Sequence, residues 1–116
     1  MTASQYFTCV TELENYTDPD AYVSVLALSV ILGDDPASEI SPDRIAALRE
    51  IWTAAHRSVR LIAALADTTM TGLSRRFGIP PRTVTSWSIG ERTPPVYLTL
   101  MMQEALGIYH PHLTEK

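Results

Sequence analysis

The 116-residue sequence predicts an all-α protein, a compact bundle of about five helices with an N-terminal helical extension. Three observations predict it. Apolar residues recur at three- and four-residue steps through Ile45, Leu48, Ile51 with Trp52, Ala55, Val59, Ile62 and Leu65, which lines one face of a helix. Proline stands where helices begin, at Asp18-Pro19, Ser41-Pro42, Pro80-Pro81 and Pro94-Pro95, because its missing N–H is one that the first turn leaves unpaired anyway. Glycine then closes segments, at Gly33, Gly78, Gly90 and Gly107, as a left-handed helix exit requires.

In chain order, residues 1–18 have weak periodicity and predict a short helix at most. Asp18 caps a second segment, in which Ala21 to Leu32 is apolar on nearly every face and Gly33 ends the run. Residues 33–40, GDDPASEI, are a loop, after which Ser41-Pro42-Asp43 opens the periodic stretch. That stretch either runs unbroken to Ala66 or bends near residues 56–58, and the spacing does not choose. Asp67 and Thr68-Thr69 interrupt it and cap a helix from about Met70 to Phe77, followed by helices from Pro81 to about Ser88 and from Val96 to about Leu106. In the last of these, Val96, Leu100, Met101 and Leu106 are available for packing. The organisation is therefore an acidic extension (1–40), a second region (41–110) and a polar tail (111–116).

Bulk properties exclude several classes. A hydrophobic content of 46% against 19% charged residues supports a core and argues against disorder. One cysteine, Cys9, rules out an internal disulfide framework, and a small apolar role suits it. The start MTASQYFTCV has no basic flank of a secretory leader, and Ala21 to Leu32 falls short of the roughly 20 residues that span a bilayer. A reducing cytoplasm fits, with no membrane partner. The net charge of −4 divides unevenly: residues 1–43 hold eight acids and no Lys or Arg, whereas residues 44–116 hold nine basic residues and five acids, a net of +4. The basic part suits a polyanion and the acidic part a basic partner.

The chemistry concentrates in TTMTGLSRRFGIPPRTVTSWSIGERT, residues 68–93. Leu73 and Phe77, four apart, give one helix an apolar side; Gly78 turns the chain and Ile79 plugs the turn. On the next helix Val84 and Trp87 face inward, while Arg82, Thr85 and Ser86 lie opposite at about 100° per residue. One face packs and the other is free to read a duplex, which is the division of labour of a helix-turn-helix, residues 69–89. Arg82 is the only long donor on the reading face, and Arg75, Arg76 and Arg92 supply attraction to phosphates.

The string GLSRRFGIPPRTVTSWSIGERTPP, continued by VYLTLMMQEALG, resembles the lambda-repressor/Cro-like (XRE) helix-turn-helix family. With Ile51-Trp52 and Ala55-His56 ahead of it, it is also similar to small helix-turn-helix proteins of gut Clostridia-type bacteria, a match of roughly half the chain, from about Ile51 to Leu106. The resemblance implies base-edge contacts for Pro80, Pro81, Arg82, Thr85 and Ser86, and phosphate contacts for Thr69, Met70 and Arg92. Three departures stand out: Gly72 occupies a position where the family often has Glu, Met70 one where it often has Gln, and Pro80-Pro81 replace polar side chains at the reading tip. Gly72 weakens its helix by roughly 1 kcal/mol.

Other features have plainer readings. Trp87 is core, because its neighbours at helical spacing are apolar. His110 and His112 are two ligands with no supporting Cys or acid, too few for a metal, so a solvated tail is expected. His56, beside the apolar stripe, reads as a partly buried structural histidine, and Met101-Met102 as core filler. No nucleophile-base pair, phosphate loop or coupled carboxylates argue for an enzyme. The sequence thus predicts a double-stranded DNA-binding transcriptional regulator acting by operator occupancy, without cofactor or metal, as a homodimer paired through Ala21 to Leu32. The rival expectation is a protein-binding adaptor or antitoxin of a mobile element, working through the acidic N-terminal region.

Overall fold

The computed structural model describes residues 1–31, 42–111 and 113. Its regular elements are all helical, with no strand among the described residues: α1 (Ala3–Thr11), α2 (Pro19–Leu26), α3 (Pro42–Ala55), α4 (Val59–Leu65), α5 (Met70–Phe77), α6 (Pro81–Ser88) and α7 (Val96–Ala105). These are seven α-helices where the periodicity predicts about five. The Gly33 stop, the loop 33–40, the Ser41 cap and His112 lie outside the described residues. The chain forms two compact units, Met1–Thr53 with Pro111–Lys116, and Ala54–His110, so the division falls inside α3.

Two local devices account for the additional helices. A capping box starts α1: Thr2 Oγ1 accepts from the Gln5 amide at 3.1 Å while Gln5 Oε1 accepts from the Thr2 amide at 2.8 Å. The long periodic stretch breaks at residues 56–58, where Ser58, in an extended conformation, accepts from the Leu61 amide at 3.1 Å and starts α4. The break shifts the helical phase. Leu65, predicted to face inward, is 50% exposed, and His56, predicted to be partly buried, is exposed where the chain leaves the helix.

In the first unit α2 starts as expected, with Asp18 accepting from the Ala21 amide and Pro19 at the first position. A π-helical turn, Ala27–Ile31, extends it. Tyr22, Val23, Leu26 and Ala27 are buried with Cys9 and Leu13 of the preceding segment and Leu48 and Ile51 of α3. Tyr22 donates to the Cys9 carbonyl at 2.7 Å, and its ring lies edge-on to Tyr16 and tilted against Trp52. Most of the bulk of residues 21–30 is thus consumed within the unit, leaving Val25 and Leu28 as the exposed large apolar side chains of that stretch. Arg49 pairs with Asp20 at 3.0 Å on the surface.

The second unit packs around Val59, Ala63, Leu73 and Met102, with Met70, Phe77, Ile79, Trp87, Leu98 and Leu106 partly buried against them. Asp67 takes a positive φ of 54° at the end of α4, so that Thr68 bonds the Ala63 carbonyl and the chain turns into α5. The buried face of α7 is Thr99, Leu100, Met102 and Gln103. Met101 and Val96, predicted to pack, are exposed instead, because burial follows Leu100 and its neighbours at three- and four-residue steps rather than the methionine pair. Gln103 is fully buried: Nε2 donates to the carbonyls of Ala54 (2.8 Å) and Thr99 (3.2 Å), and Oε1 accepts from Arg57 (3.0 Å).

Candidate nucleic-acid interface

The site is built from α5, a three-residue connection and α6. Thr69 starts α5, its Oγ1 accepting from the Gly72 amide at 3.0 Å. Leu73 is fully buried, and Arg75, two residues and about 200° further round, is exposed. Gly78 ends the helix with φ at +65°, a conformation that costs L side chains roughly 1 kcal/mol or more. Ser74 then fixes the connection: its carbonyl accepts from the Gly78 and Ile79 amides, and its hydroxyl donates to the Ile79 carbonyl at 2.6 Å. Ile79 packs on the core. The sequence reading missed Ser74; a serine four residues before a helix-ending glycine was its only signal.

Pro80, extended at ψ 135°, leads into Pro81 at the first position of α6. The Thr83 and Val84 amides both bond the Pro80 carbonyl, and Pro81 has no N–H, so the Arg82 amide alone is left for an anion at this helix end. Beyond that one amide, the polar groups this helix end offers are side chains. Val84 is buried and Trp87 packs on the core cluster, which presents Pro80, Pro81, Arg82 and Thr85 to solvent. Arg82 and Thr85, three apart, lie on the same side of α6. Ser86 is half-buried, and its carbonyl accepts from the Glu91 and Arg92 amides, tying the loop after α6 back to the helix.

The arginines of the second unit fall into two groups. Arg57 is bonded to Gln103, Arg60 Nε donates to the Ser88 carbonyl at 3.1 Å, and Arg76 donates to the Ala105 carbonyl at 3.2 Å while lying over the Phe77 ring. The last two satisfy carbonyls at the C-terminal ends of α6 and α7, where the helix dipole favours a cation. Arg75, Arg82 and Arg92 are exposed, and their side chains make no hydrogen bond or ion pair with the described residues. The unit holds six arginines against Asp67, Glu91 and Glu104, a net of +3.

Of the ten residues singled out from the sequence, Pro80, Pro81, Arg82 and Thr85 are brought together at one exposed end of α6, and Thr69, Arg75 and Arg92 are exposed nearby in the chain. Met70 is drawn into the core cluster, where a thioether packs well, Arg76 is committed to α7, and Ser86, predicted on the outward face of α6, is half-buried. Among the described residues no group of three or more His, Cys, Asp or Glu side chains is placed to hold a metal ion, and no helix is long and apolar enough to cross a membrane. A scan against family models and searches of curated proteins and of solved structures find no match to this chain.

Proposed function

We propose that the chain is a sequence-specific double-stranded DNA-binding regulator of the cytoplasm, acting by operator occupancy, with α5 and α6 as the two helices of a lambda-repressor-like helix-turn-helix. The observation that carries this reading is the exposed pair Arg82 and Thr85 on a helix whose other side is anchored by Val84 and Trp87. An α-helix fits the major groove, and an arginine there bonds guanine O6 and N7, which discriminates against other bases by roughly 1–3 kcal/mol. Arg75 and Arg92, whose guanidinium groups make no bond with the described residues, supply phosphate contacts that position the helix without specifying sequence. Three uncommitted arginines make a weak monomeric grip. Pairing of two copies on half-sites one helical turn apart multiplies it.

Selection of bound duplexes from a random pool, repeated with Arg82→Ala, tests the proposal. An enriched motif containing guanine, relaxed at that guanine by the substitution, is the expected result. A pool that enriches nothing removes the regulator reading and favours the protein-binding one. That alternative draws on the first unit, whose sequence holds ten acids against two arginines and one lysine, with Arg49 already paired with Asp20.

A further inference from the structure

The hydroxyl of Thr85 is exposed, yet it is already spoken for: Oγ1 donates to the Pro81 carbonyl at 2.9 Å. This bond matters because Pro81 opens α6 and its carbonyl is the first that the helix itself provides. A hydroxyl has one proton. With that proton given to the backbone, Thr85 has none for guanine N7 or O6, for thymine O4 or for a phosphate; what it still offers a base is an acceptor oxygen and its γ-methyl. The neighbouring prolines reinforce the point, since exposed Pro80 and Pro81 bring further apolar surface and no N–H to the same end of the helix.

We infer that Thr85 contributes to sequence preference as an apolar group, through contact of its γ-methyl with the C5-methyl of a thymine within one or two base pairs of the guanine taken by Arg82. The inference rests on the DNA-binding reading above. It assigns two different chemistries to two residues on one side of α6: charge-assisted hydrogen bonding from Arg82 and methyl–methyl contact from Thr85.

The test uses the full-length chain and the duplex enriched by selection, with each thymine replaced in turn by deoxyuridine. That change removes the methyl and keeps every hydrogen-bonding group. One position should lose affinity by about fourfold, the effect of one buried methyl group. Thr85→Val, which keeps methyls and has no hydroxyl, should retain that sensitivity, and Thr85→Ser, which keeps the hydroxyl and loses the methyl, should abolish it. Circular dichroism checks that both variants are folded. If a guanine-containing motif is enriched but no thymine is sensitive to loss of its methyl, or if Thr85→Val loses the preference and Thr85→Ser keeps it, the Thr85 assignment is overturned while the regulator reading stands. If no motif is enriched at all, both fall together.

Discussion

The side-chain amide of Gln103 holds the Ala54 backbone carbonyl at 2.8 Å in a fully buried position of the second unit. The same nitrogen bonds the Thr99 carbonyl, and the oxygen accepts a hydrogen bond from the Arg57 guanidinium, so one residue of α7 satisfies the end of α3 and the segment before α4. Removing it leaves the buried Ala54 carbonyl with only the longer 3.3 Å bond from the Arg57 amide and takes the acceptor from the Arg57 guanidinium, at a cost of roughly 1–3 kcal/mol. Gln103→Met, similar in volume, is therefore expected to lower unfolding free energy by that amount in chemical denaturation. A loss under 0.5 kcal/mol contradicts the role given to this network.

The first unit carries a built-in sensitivity to alkali. Burial is the main cause that raises the Cys9 thiol from 9.0 to about 11, and the same cause pushes the Tyr22 hydroxyl well above its ordinary value of 10.0. Both groups keep their protons longer in the folded chain than in the unfolded one. Stability from this source is complete below pH 9 and falls as pH rises towards 11, by at most about 1.4 kcal/mol per pH unit for each group. Cys9→Ala is expected to flatten the decline between pH 9 and 11 in denaturation curves; an unchanged slope contradicts the assignment. Thiol reagents at neutral pH should reach Cys9 only on unfolding.

Gly72 weakens α5 in principle, yet a Cβ placed there meets the Thr68 hydroxyl oxygen directly. Gly72→Ala alone is expected to recover little of the roughly 1 kcal/mol that alanine offers over glycine in a helix. In a Thr68→Ala background the same substitution should recover most of it. A double-mutant cycle on thermal unfolding measures the difference, and strict additivity overturns the explanation.

The two groups of arginines predict separable phenotypes. Arg60→Ala and Arg76→Ala each remove a bond to a helix-end carbonyl, and because both sites are exposed the cost should be a few tenths of a kcal/mol. Arg75→Ala and Arg92→Ala break no such bond and should leave stability unchanged while weakening binding to all duplexes alike. Each removed phosphate contact also lowers the slope of log affinity against log salt by about 0.9. Denaturation and fluorescence anisotropy on the four variants check the partition.

Short-range signals made α2, α5 and α6 legible. The Asp18 cap, the Thr69 cap, Gly78 and the Pro81 start are local chemistry, and the inward pair Val84 and Trp87 follows from spacing alone. The end of α3 was not legible, because Ile51, Ala55, Val59 and Ile62 keep a helical rhythm through a break that the Ser58 cap creates. Nor were the commitments of Arg57, Arg60 and Arg76, since their partners lie 46, 28 and 29 residues away in the chain. Gln103 was missed for the same reason: a buried polar residue looks like a surface one until the carbonyls facing it are known. Thr85 was read correctly as outward-facing, but the use of its proton by Pro81 emerges only from the structure.

The central claim, that the outer face of α6 reads a duplex, is tested most directly by one ratio: affinity for the selected duplex over affinity for a scrambled duplex at fixed salt. Arg82→Ala should collapse that ratio by roughly 5- to 150-fold, the equivalent of 1–3 kcal/mol, whereas Arg75→Ala should lower both affinities and leave the ratio unchanged. A ratio that is the same for the wild-type chain and for Arg82→Ala contradicts the account.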